Sequence, residues 1–243
     1  MKLTAISATL ALALAFGAAS AQLGPRGGVR GTPGSVSAPH QSFEYGVILE
    51  GGNGITDNRD GFHFLSAGVH AGSVLTGNVG PGFLRGNFEY AVEVFPYWQS
   101  FTPKFQRVSC VQPGAIITCS APYTVGGTFT GASITPIILR WNFATHGKLT
   151  PWFQGAGGVV WTNHKYPAYG DTTVNLTTNG PNGDASVWNF TPQMGVGAHY
   201  FTRHRHSIDF SVNAIHISSA SLGDRNPGVN ASIQASVGYT WWK

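Results

Sequence analysis

The chain has 243 residues, only 10% of them charged, with 14 Lys+Arg against 10 Asp+Glu, a formal charge of +4 and a pI near 9.2. Its 42% hydrophobic residues, 12% aromatics and 33 glycines without a three-residue period exclude a disordered chain, which needs high charge and low hydrophobicity, and collagen. The positive balance reflects a scarcity of acids and not a Lys/Arg stripe, so no nucleic-acid partner is expected.

Met1 and Lys2 make a short positive start, residues 3–16 are almost all apolar, and Ala19, Ser20 and Ala21 precede Gln22. That order reads as a secretory signal peptide over 1–21 with an A-x-A cleavage site. The run is shorter than the ~20 residues of a spanning helix, and nothing later in the sequence is long and apolar enough to be one. Residues 22–41, rich in Gly, Pro and Ser, read as a flexible tail.

From 42 to 243 the hydrophobic period is two, which predicts strands. Eight segments follow in order, over 43–52, 62–76, 83–98, 128–143, 151–162, 187–201, 207–218 and 229–242. In the sixth, Trp188, Phe190, Met194, Val196 and Tyr200 alternate with Asn189, Thr191, Gln193 and His199. In the eighth, Val229, Ile233, Val237 and Trp241 alternate with Asn230, Ser232, Gln234 and Thr240. Three connections are short (77–82, 145–149, 202–206) and four are longer (53–61, 99–127, 163–186, 219–228). An even number of strands long enough to cross a bilayer obliquely, with short turns on one side only, predicts an all-β, eight-stranded antiparallel up-and-down transmembrane β-barrel over 42–243. Tyr200, Phe201, Tyr239, Trp241 and Trp242 near strand ends read as an aromatic girdle. A soluble barrel, apolar inside, would alternate too, but its water-facing wall would carry more Lys and Glu. A barrel of this size is filled by its own side chains and is no porin.

Cys110 and Cys119, separated by eight residues that include Pro113 and Gly114, read as a loop-closing disulfide in an oxidising compartment. The segment holds no His, Asp or Glu to complete a metal site, and none is expected.

One pair carries chemistry. His216 and Ser218 lie two residues apart on the seventh segment, hence on one strand face, and topology places them at the outer rim. A serine nucleophile needs a base within reach, and imidazole is the usual one. By parity, Ile208, Phe210, Val212 and Ala214 share that face, so a regular strand turns the pair toward lipid.

At this segment the chain resembles a known family. Residues 214–222 (AIHISSASL) with 226–230 (NPGVN), and further 83–94 (FLRGNFEYAVEV), 135–143 (TPIILRWNF) and 190–197 (FTPQMGVG), resemble the PagL-type lipid A 3-O-deacylases, in the same order over most of the chain after the leader. The resemblance implies an outer-membrane barrel that hydrolyses the 3-O-linked acyl chain of lipid A, a component of lipopolysaccharide, without metal or cofactor. It implies Ser218 as nucleophile, His216 as general base and Asn226 as support for the oxyanion. The family's third member is a Glu; the matching position here is Asn230, which lacks the charge that stabilises an imidazolium. Ser219 and Ser221 also depart from the family's Asn and Gly. Asp224 is the nearest acid in sequence to the pair. By parity Asn230 points into the lumen; a bulge near Ile215 or Val229 would be needed to bring it round.

Other candidates read as structure. Glu89, Glu93 and Arg85 share a parity and read as a charge-paired interior, His204 and His206 flank Arg205 in a basic turn, and Gly195 and Gly197 lack the third glycine of a nucleotide loop. The expectation is an exported outer-membrane serine esterase acting on lipid A; the alternative is a catalytically impaired or non-enzymatic barrel with an envelope or adhesion role.

Overall fold

The computed structural model describes residues 43–108, 110–111, 114–145, 147–166, 186–220, 222 and 230–243. The signal peptide 1–21 and tail 22–41 expected from the sequence lie outside the described residues, as do Asn226, Asp224 and Ser221. The strands are β1 (Phe43–Gly54), β2 (His63–Val74), β3 (Gly86–Arg107), β4 (Cys110–Val111), β5 (Thr118–Cys119), β6 (Tyr123–Phe143), β7 (Leu149–Tyr166), β8 (Ser186–Phe190), β9 (Gln193–Arg203), β10 (His206–His216) and β11 (Ala231–Trp242). The antiparallel order β6-β3-β2-β1-β11-β10-β9-β7 is closed by pairing of β6 with β7. β8 and β9 both pair with β7 and together make one wall, so the barrel has eight.

That sixth wall is interrupted at Thr191 and Pro192 because proline has no N–H for the ladder. Thr191 N–H still reaches Gly158 O at 2.8 Å, and Gly158 allows the approach: a Cβ there would lie 2.7 Å from Thr191 Oγ1. β3 and β6 run further than the sequence predicts, pairing as far out as Arg107 with Tyr123. The register slips beside Pro96, Pro103 and Pro136, where bulges absorb residues that cannot donate.

Alternation resolves with polar side chains inside and apolar ones outside, the opposite of a soluble barrel. Outside lie Val47, Leu49, Val69, Phe153, Val196 and Phe210, each about half exposed. Inside, Arg140 Nη1 bonds Glu44 at 3.1 Å and Glu89 at 3.0 Å, and its Nε and Nη2 each meet Gln154 Oε1 at 3.2 Å. Asn142 Nδ2 donates to Glu89 at 2.7 Å, and Gln154 passes the network to Asn213 at 3.1 Å. The partner of Glu89 is therefore Arg140 and not Arg85, which is exposed before β3 begins. The long-loop half of the lumen is closed by an apolar cluster including Phe62, Trp98, Phe129, Tyr166, Ile215 and Ile217.

The girdle differs from the expectation. Tyr45 stacks on Trp241 outside at 5.7 Å, but Phe201 and Trp242 fall on inward parity. They pack together at 5.5 Å in the lumen, where Trp242 Nε1 donates to Ser207 Oγ at 2.9 Å.

Candidate active site

The site is built at the far end of β10. Along this strand Ser207, Asp209, Ser211, Asn213 and Ile215 are buried, while Phe210 and Val212 are exposed. A strand that keeps this order puts His216 on the outward face, half-buried. Ile217 continues the inward set at 2% exposure. Ser218 lies beyond the strand proper but is held as firmly. It exchanges two main-chain bonds with Phe190, one from Phe190 N–H to Ser218 O at 2.7 Å and one from Ser218 N–H to Phe190 O at 3.1 Å. Directly opposed residues share a face; Phe190 is on the outward one at 41% exposure, while Ser218 itself is covered, at 7%. His216 N–H reaches across the break in the neighbouring wall to Pro192 O at 3.0 Å. The chain leaves the sheet at Ala220, whose φ of 45° is left-handed and costly for a residue with a Cβ.

The other flank is the start of β11. The ring nitrogen His216 Nδ1 lies 3.0 Å from Asn230 O and 3.2 Å from Asn230 N. Both contacts are to the main chain. The Asn230 side chain is 1% exposed, on the inward parity of Ser232 and Gln234, and neither Oδ1 nor Nδ2 has a partner among the described residues. Its amide does not meet the imidazole. Asn230 O also accepts Ile217 N–H at 3.1 Å. Ser219 is fully buried, with its Oγ unpartnered among the described residues.

Two neighbours were not singled out by the sequence. Thr56 Oγ1 accepts Ala231 N–H at 3.3 Å and so ties the β1–β2 connection to the start of β11. Arg59, from the same connection, is buried at 1% exposure with its guanidinium 5.0 Å from the Phe62 ring centre. The only hint of it was one arginine between Asp57 and Asp60 in a long connection.

Among the described residues one group has the spacing of metal ligands. Glu44, His199 and Asp209 place ligand atoms within 4.8 Å of one another. They lie deep in the short-turn half and are already engaged, His199 Nδ1 with Asp209 Oδ1 at 2.8 Å and Glu44 with Arg140. Elsewhere, the two-stranded β4–β5 ladder sets positions 110 and 119 directly opposite each other.

The family model described as Lipid A 3-O-deacylase (PagL) matches residues 86–240. Among solved structures, the chain is similar to the outer membrane enzyme PagL at 16% identity and a TM-score of 0.41, covering 81% of this chain and 99% of that one. It is similar to the N-terminal β-barrel domain of Pseudomonas aeruginosa OprF at 12% identity and a TM-score of 0.40, covering 83% of this chain and 98% of that one. No curated protein matches the chain.

Proposed function

The chain belongs to the lipid A 3-O-deacylase (PagL) family, and from that premise we propose that it is an outer-membrane serine esterase that hydrolyses the 3-O-linked acyl chain of lipid A. The family match spans well over half of the chain and includes the segment with His216 and Ser218. The observation that supports the mechanism is that His216 continues the outward parity of β10 while Ser218, itself 7% exposed, pairs with the outward-facing Phe190 at the long-loop end of the barrel. An ester in the outer leaflet lies at that level, so the substrate reaches the pair laterally, without leaving the lipid.

In this reading His216 Nε2 takes the proton of Ser218 Oγ as the oxygen attacks the ester carbonyl. The tetrahedral intermediate collapses, the sugar oxygen leaves with the proton from the imidazolium, and the acyl group stays on Ser218. Water, deprotonated by the same imidazole, then releases the fatty acid and restores the serine. No step requires a metal or cofactor. Asn226 remains a proposed donor to the oxyanion; removing such a donor typically lowers kcat by about 10² to 10³. Export by a signal peptide cleaved after Ala21, and a Cys110–Cys119 disulfide, belong to the same proposal; the opposed register of the two cysteines supports the bridge.

The direct test is incubation of purified barrel with lipid A in detergent, followed by chromatography of released fatty acid. Wild type is expected to liberate a 3-hydroxyacyl chain and Ser218→Ala none. Equal release by both would remove Ser218 from the mechanism.

A further inference from the structure

We infer that Asn230 positions the His216 imidazole through its main-chain carbonyl, with its side chain taking no part in the reaction. The inference rests on the esterase reading above and concerns how that site works without the family's acid.

His216 Nδ1 has two main-chain neighbours, Asn230 O at 3.0 Å and Asn230 N at 3.2 Å, and serves one of them at a time. Accepting from the N–H would place the ring proton on Nε2 and leave no base facing the serine. Donating to the carbonyl leaves Nε2 bare, the state that accepts a proton from Ser218. The carbonyl contact is the shorter. A carbonyl oxygen has two lone pairs, and the second is used by Ile217 N–H at 3.1 Å. Ile217 stands between the two reacting residues, so one oxygen both orients the ring and pins the backbone that separates the ring from Ser218. The bonds from His216 N–H to Pro192 O and between Ser218 and Phe190 hold the other edge of the same segment.

The side chain faces the other way. Asn230 enters β11 on the inward parity, is 1% exposed, and has both amide atoms unpartnered among the described residues. A carboxylate in that place would be a buried charge directed at the lumen and away from the imidazole, and burying a charge is costly. The Asn that departs from the family pattern therefore suits the direction its position faces, and the carbonyl supplies what remains of the third member's work: ring orientation, without a charge to stabilise the imidazolium.

Nitrogen-15 spectra of the full-length barrel in micelles report which ring nitrogen carries the proton, whether or not the protein turns over lipid. The expected result is a neutral His216 protonated at Nδ1 and bare at Nε2, unchanged in Asn230→Ala and in Asn230→Glu. A ring protonated at Nε2 in wild type, or a tautomer that changes in Asn230→Ala, would overturn the inference. A second measurement weakens the carbonyl itself. Semisynthesis with lactate in place of Ala231 turns the amide between 230 and 231 into an ester, a poorer acceptor, and leaves every side chain as it was. It also removes the Ala231 N–H bond to Thr56, for which Thr56→Val is the control. Relative to that control, kcat is expected to fall about tenfold with KM unchanged, and an unchanged kcat counts against the carbonyl. Absence of fatty-acid release by wild type would instead sink the esterase reading, while the spectra still decide the ring.

Discussion

At the scale of single residues, the proposed reaction rests on two side chains, His216 and Ser218. Ser218→Ala and His216→Gln are each expected to lower the rate of fatty-acid release by at least about 10³-fold while the barrel remains folded, because nucleophile and base act as a unit. Circular dichroism on the same samples separates lost chemistry from lost fold. Arg140 is the residue on which the interior depends most. It is the cation that bonds both Glu44 and Glu89 in the barrel interior. Arg140→Met would leave the buried Glu44–Glu89 carboxyl pair without its cation and is expected to cost about 3–5 kcal/mol, read from the denaturant midpoint. Adding Glu44→Gln and Glu89→Gln to that variant should restore most of the loss; no recovery would mean that the arginine stabilises by packing on Trp152, 4.4 Å away, instead. Neither partnership was legible in the sequence. Arg140 and Glu89 are 51 residues apart, and parity alone offered Arg85, which lies outside the strand. Parity did place Asn230 inward, but a main-chain contact to an imidazole has no side-chain signature to read.

At the scale of elements, the period of two made the eight walls readable, and the departures trace to particular residues. Pro192 splits one wall into β8 and β9, yet the outward set Trp188, Phe190, Met194 and Val196 keeps its parity across the break, so one segment was a fair reading of it. The outer extensions of β3 and β6 escaped notice because Pro103, Gly126 and Gly127 interrupt the alternation there; both glycines have positive φ, and a Cβ on Gly126 would lie 2.0 Å from Pro103 O. Phe201 and Trp242 sit in the lumen because their parity, and not their aromatic character, sets the face they occupy. At the tip of the same connection, the β4–β5 ladder makes a definite prediction. Intact protein from the export compartment should show a mass 2 Da below that of the reduced chain, and so should its tryptic peptide 108–140, which carries both Cys110 and Cys119. Two free thiols under non-reducing conditions would contradict the bridge.

At the scale of the whole molecule, function depends on which face of the wall meets lipid. The barrel encloses its charges and presents apolar side chains outward, so bilayer contact should follow parity. Trp161 and Trp188 face out, at 42% and 52% exposure, while Trp98, Trp152 and Trp242 are buried inside. In vesicles of brominated lipid, variants keeping only Trp161 or only Trp188 should be quenched strongly, and those keeping only Trp152 or Trp242 weakly. The reverse order would mean that the wall is turned the wrong way round. In the proposed reaction, His216 and Ser218 on such a wall meet an ester that stays in the membrane.

The most direct measurement is therefore mass spectrometry of lipid A from cells of one strain expressing either wild type or Ser218→Ala at equal levels in the outer membrane. The account predicts lipid A lighter by one 3-linked hydroxyacyl chain with wild type, and unmodified lipid A with the variant. Unmodified lipid A in both, with the barrel folded and inserted, would contradict the deacylase assignment for this chain.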